Sequence, residues 1–117
     1  MTDLRILHNP RCSKSRQTLQ LLLEQGLEPT IIEYLKTPVS AQELQLIVKQ
    51  LGFSSARQLI RKNEDAYKQQ NLEDHTLTEE SLISAMLSSP KLIERPIVVF
   101  NGKAAIGRPP ESVMDIL

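Results

Sequence analysis

The sequence predicts an α/β fold: a mixed four-stranded sheet with flanking helices and a helical insert. Three observations predict it. Two short apolar runs, Leu4 to His8 and Pro29 to Tyr34, bracket a segment of helical periodicity. A β-branched run from Ile97 to Phe100 meets Asn101-Gly102 and then a second short run, the pattern of a two-residue hairpin. Between these blocks lies a long segment whose apolar residues recur at helical spacing. The chain has 117 residues and no repeat, low-complexity stretch or Gly/Ser-rich linker, so residues 1–117 are expected to form a single domain.

Each element follows from local chemistry. The first strand stops at Asn9-Pro10, because proline ends pairing and restricts the residue before it. From Ser13 the pattern is helical, with Leu19, Leu22 and Leu23 on one face and Gly26 at the expected C-terminal cap. "PTIIEY" is β-branched and aromatic and reads as a second strand. Ser40-Ala41-Gln42-Glu43 has the form of a capping box ahead of Leu44, Ile47, Val48 and Leu51. A short helix is expected around Ala56 to Ile60, and Arg61 to Asp74 gives no periodic signal. Thr78 is the expected N-cap of a helix burying Leu82, Ile83, Met86 and Leu87 and ending at Pro90. After the hairpin, Gly107-Arg108-Pro109-Pro110 turns the chain into a short closing helix. Two strands joined by a helix should be parallel, and the hairpin antiparallel. Together they make a thioredoxin-like arrangement with a helical insert.

Composition excludes several functions. Lys+Arg and Asp+Glu number 14 each, so the chain lacks the net basic charge of a protein that coats nucleic acid or an anionic membrane. One cysteine excludes an intramolecular disulfide and a cysteine-rich zinc site, and His8 and His75 show no ligand spacing, so no metal is expected. The start "MTDLRILHNP" lacks the layout of a signal peptide, and no apolar run approaches the roughly 20 residues that span a bilayer. The expectation is a soluble cytoplasmic protein, a monomer, in a reducing compartment.

Cys12 is the candidate catalytic residue. It sits between a strand and a helix in "HNPRCSKS", where free N–H groups and the helix dipole favour both a thiolate and a bound oxyanion. Arg11, Lys14 and Arg16 add positive charge, and Ser13 and Ser15 carry hydroxyls. A free cysteine is most often a small buried hydrophobe, but proline, arginine, serine and lysine do not describe a core. Cys12 is therefore expected to titrate below the free-thiol value of about 8.5. The phosphatase loop, with five residues between cysteine and arginine, is absent, since Arg16 follows Cys12 with three between. The place of a second redox cysteine holds Ser15, so any redox cycle borrows an external thiol.

Arg61 ends a predicted short helix, Arg95 precedes Pro96 and a strand, and Arg108 lies in the turn after the hairpin. Their planar, always-charged forks suit tetrahedral oxyanions; the alternative for each is a solvated surface arginine. The Arg95-Pro96 bond is either trans at the start of an edge strand or cis, as where thioredoxin-like folds begin the strand facing the active cysteine. His8 either assists the thiol or an anion, or is a loop histidine with a backbone partner.

"HNPRCSKSRQTL", "ERPIVV" and "GRPPE" together resemble the glutaredoxin-dependent arsenate reductases, the ArsC family of thioredoxin-like fold, over nearly the whole chain. The resemblance implies Cys12 as nucleophile, Arg61, Arg95 and Arg108 as the arginines that hold the oxyanion and its thiol adduct, and His8 and Ser15 as supporting residues. It implies no bound cofactor, with glutathione as co-substrate and glutaredoxin as partner. Two alternatives share the pattern. One is an Spx-type regulator that binds RNA polymerase, which commonly carries Cys-x-x-Cys where this chain has Cys12 to Ser15. The other is a thiol reductase acting on another oxyanion or a mixed disulfide.

Overall fold

The computed structural model describes residues 3–117, in two compact units: the chain up to Thr37 with Arg95–Leu117, and Pro38–Glu94.

In the first unit, β1 (Leu4–Leu7), α1 (Ser13–Glu24) and β2 (Thr30–Ile32) precede β3 (Ile97–Phe100) and β4 (Lys103–Ile106), and a 3-10 helix, Pro110–Ile116, ends the chain. The sheet order is β2-β1-β3-β4. The pairs β1/β2 are parallel, with Ile6 opposite Ile31; β1/β3 and β3/β4 are antiparallel, with Ile6 opposite Val98 and Val98 opposite Ala105. The mixed four-stranded sheet is thus the expected one. Asn101 and Gly102 both take positive φ, 47° and 86°, as a twist-matched hairpin turn requires. Gly26, at φ 78°, closes α1. One face of the sheet packs on α1 and the closing helix through Leu4, Ile6, Leu22, Val98 and Val113. Leu7, Ile97 and Val99, on the opposite face, are also buried.

Two details differ from the sequence reading. The second strand is shorter than Pro29 to Tyr34. The inner face of α1 is Ser15, Thr18 and Leu22, with Leu19 partly buried, whereas Leu23 is 48% exposed. Apolar periodicity selects leucines, and here small hydroxyl residues occupy the buried stripe nearest the Cys12 loop.

The second unit contains α2 (Ala41–Gln50), α3 (Asp65–Gln69) and α4 (Glu79–Ser88), and its buried side chains include Leu44, Ile47, Leu59, Leu82, Met86 and Leu92. Ser40 accepts from the Glu43 N–H at 3.1 Å, and Thr78 from the Ser81 N–H at 3.1 Å, so both residues cap their helices as expected. The reciprocal box expected at Ser40 and Glu43 instead occurs at Ser55 and Gln58, where the amide side chain can reach back to the capping N–H. The segment from Arg61 to Asp74, silent in sequence, contains α3 and is tied at its far end to Arg57, whose guanidinium donates to the carbonyls of Leu72 and Asp74. Nearby, Glu79 accepts from the Ser55 hydroxyl and the Ala56 N–H. Among the described residues no helix is long and apolar enough to cross a membrane.

Candidate active site

Cys12 is the N-cap of α1, in extended conformation, and no side chain caps the helix there. The first-turn N–H groups of Lys14 and Ser15 are thus left to the cysteine sulfur, and both lower its pKa. Burial pushes the thiol up, but these two N–H bonds, a hydrogen bond from the Arg95 side chain and the charge of Arg95 outweigh it. The net direction is below an ordinary thiol, as the sequence implied.

The loop before the helix is tied by its own groups. The Cys12 N–H donates to the Asn9 carbonyl at 3.0 Å, and the Arg11 N–H to the Asn9 side-chain oxygen at 3.0 Å. Arg16 reaches back through Nη1 to the Pro10 carbonyl at 3.1 Å.

Ser15 has two separate uses. Its N–H serves the sulfur, while its fully buried hydroxyl accepts from the Asn9 N–H at 3.0 Å and meets His8 Nδ1 at 2.6 Å. His8 is 6% exposed; burial lowers its pKa, Glu33 opposes and Arg16 adds to the lowering. In its Nε2–H tautomer a neutral His8 accepts the Ser15 O–H at Nδ1. His8 therefore bears on the loop that carries Cys12, and it is absent from the groups that shift the thiol.

Two of the three expected arginines meet here. Arg108 points Nη2 at the Cys12 sulfur, 3.6 Å away, and its Nε donates to the Arg95 carbonyl at 2.7 Å. The peptide bonds Arg95-Pro96 and Arg108-Pro109 are both cis. The first was one of the two sequence readings; the second had no signal in the sequence beyond Pro109 itself. Arg61 lies in the second unit, where its N–H donates to the Leu92 carbonyl and its Nε lies 3.5 Å from Glu64. Its Nε and Nη1 are buried without a hydrogen-bond partner. Among the described residues no group of three or more His, Cys, Asp or Glu could hold a metal ion. The first unit thus presents a thiol whose charged form is favoured, with two guanidinium groups beside it, an arrangement able to attack an anion while binding its negative oxygens.

The ArsC family signature spans residues 7–116. An arsenate reductase of Neisseria meningitidis (serogroup B) is 45% identical over all 117 residues, covering the whole of both chains. The protein YfgD of Escherichia coli K12 is 59% identical over 115 residues, 98% of this chain and 97% of its own. Among solved structures, an arsenate reductase from Vibrio cholerae superposes with a TM-score of 0.95 at 52% identity, covering 97% of each chain.

Proposed function

The chain belongs to the ArsC family, and on that premise we propose that it is a glutaredoxin-coupled arsenate reductase with Cys12 as nucleophile. The observation that carries the reading is the Cys12 sulfur, held below its ordinary pKa and faced by Arg95 and Arg108.

The thiolate attacks arsenate and displaces a hydroxide, leaving arsenic(V) bonded to the Cys12 sulfur. Arg95 and Arg108 neutralise the oxyanion, which otherwise repels the incoming thiolate. Arg61 is assigned as the third substrate arginine on its match to the family pattern. Glutathione displaces a second hydroxide and joins the arsenic. A glutaredoxin thiolate then attacks the glutathione sulfur; the pair of electrons in the broken sulfur–arsenic bond passes to arsenic, and a mixed disulfide forms. Water releases arsenite from Cys12 and restores the thiol. His8 and Ser15 support the loop. One cysteine suffices, because the other thiols come from outside the chain.

The family signature spans both compact units, which supports treating residues 1–117 as one functional domain. The dependence on glutathione supports a cytoplasmic setting, and the reading takes the enzyme as a monomer with arsenate, glutathione and glutaredoxin as its partners. The test is arsenite formation by the purified protein with glutathione, glutaredoxin and a reductant. Turnover abolished in Cys12→Ala is expected; turnover equal in the two proteins would sink the assignment.

A further inference from the structure

The glycines of the chain fall into two kinds. Gly26, Gly52 and Gly102 have positive φ and nothing within 4 Å of where a Cβ would stand. They serve backbone conformation. Gly107 is the reverse: its φ lies outside the left-handed region, but a Cβ there would stand 2.4 Å from Thr18 Oγ1, 2.8 Å from Pro96 Cγ and 3.1 Å from Thr18 Cγ2. Gly107 is needed for space.

The obstructing atoms have little freedom. Thr18 is fully buried, branched at Cβ and bonded through Oγ1 to the Lys14 carbonyl at 2.8 Å. Pro96 is buried, and its carbonyl accepts the Gly107 N–H at 2.9 Å. The next residue is Arg108, whose guanidinium reaches the Cys12 sulfur at 3.6 Å. Cys12 and Thr18 share α1 and its cap, so the seat of Gly107 on Thr18 also fixes the distance from Arg108 to the sulfur.

We propose that Gly107 is a positioning residue: its missing side chain lets the turn after β4 close onto Thr18 and so delivers Arg108 to Cys12. In its consequence for arsenate this rests on the function proposed above, but the placement itself is measurable without arsenate. Iodoacetate and iodoacetamide alkylate the same thiolate, and only the first is an anion that a guanidinium draws in. The ratio of their rates, on full-length protein at one pH and low salt, reads the nearness of Arg108 to the sulfur. Arg108→Ala sets the floor of that ratio.

In Gly107→Ala the ratio is expected to fall by roughly threefold to tenfold toward that floor, with less change in the iodoacetamide rate. Thr18→Ala removes two of the three obstructing atoms, so T18A/G107A should recover most of the ratio. In the arsenate assay, G107A should raise KM more than it lowers kcat. A folded G107A with the wild-type ratio overturns the proposal. Should G107A fail to fold, the double variant decides: a wild-type-like ratio supports the proposal, and a ratio at the Arg108→Ala floor, or a double variant that also fails to fold, overturns it. If no variant and no wild type turns over arsenate while the ratios behave as expected, the functional assignment fails and the positioning role stands.

Discussion

The Ser15 hydroxyl lies 2.6 Å from His8 Nδ1 while the Ser15 N–H serves the Cys12 sulfur, so one residue joins the buried histidine to the thiolate through two different groups. The side chain fixes the loop, and the backbone stabilises the charge. Substitution at Ser15 tests the first of these directly. Ser15→Ala removes the hydroxyl and leaves the Asn9 N–H and His8 Nδ1 without that partner in a buried place. The expected cost is about 1–3 kcal/mol of stability, read as a lowered denaturation midpoint. An unchanged midpoint would show that water replaces the hydroxyl.

Arg95 lowers the thiol pKa both by hydrogen bond and by charge. Arg95→Ala should therefore raise the Cys12 pKa, seen as a shift to higher pH in the ultraviolet absorbance of the thiolate. A titration indistinguishable from wild type would remove Arg95 from the account of Cys12.

The pH dependence of stability should carry the mark of His8. Its folded pKa lies below its ordinary value of 6.5, so near that pH the folded chain binds fewer protons than the unfolded one. The stability this provides is complete above 6.5 and is lost as pH falls through the lower folded value. A His8→Asn variant, followed by urea unfolding across that range, should lose less stability on acidification than wild type. Parallel curves would assign the acid sensitivity to other groups.

Arg108 makes two contacts with one guanidinium, Nε to the Arg95 carbonyl and Nη2 toward the sulfur. Lysine keeps the charge but has a single ammonium and no fork. Arg108→Lys should raise the arsenate KM by about tenfold or more, from the roughly 1.5–3 kcal/mol of a hydrogen bond to a charged group. Steady-state kinetics with KM within twofold of wild type would argue against direct anion contact (about 0.4 kcal/mol, well under that range).

In the second unit, Glu79 accepts from the Ser55 hydroxyl at 2.8 Å and the Ala56 N–H at 2.7 Å. Glu79→Ala should cost about 0.5–2 kcal/mol, the range for loss of a cap, read as a lowered denaturation midpoint. An unchanged midpoint would show that these two bonds contribute nothing to stability.

Much of this was legible in the sequence, for physical reasons that differ from place to place. The turn at Asn101-Gly102 and the caps at Ser40 and Thr78 are read correctly because turn and cap geometry are local, set within four residues of each position. Cys12 is legible because its charged and hydroxyl neighbours lie in the same loop. The part that escaped was non-local or polar. The helix at 65–69 is five residues long and buries one aromatic ring, Tyr67, too little to show a period. Arg57 and Glu79 organise the segments around it over 15 to 24 residues of separation. The division of labour within Ser15 was hidden too, since both of its groups were equally available to the thiol on sequence grounds.

The bond from the Arg108 side chain ends on the backbone carbonyl of position 95, so it survives whatever side chain stands there. The charge that Arg95 lends the sulfur and the anchor it gives Arg108 are therefore separable, one belonging to a side chain and the other to the main chain. A designer could retune the thiol through residue 95 and keep the anchor of Arg108.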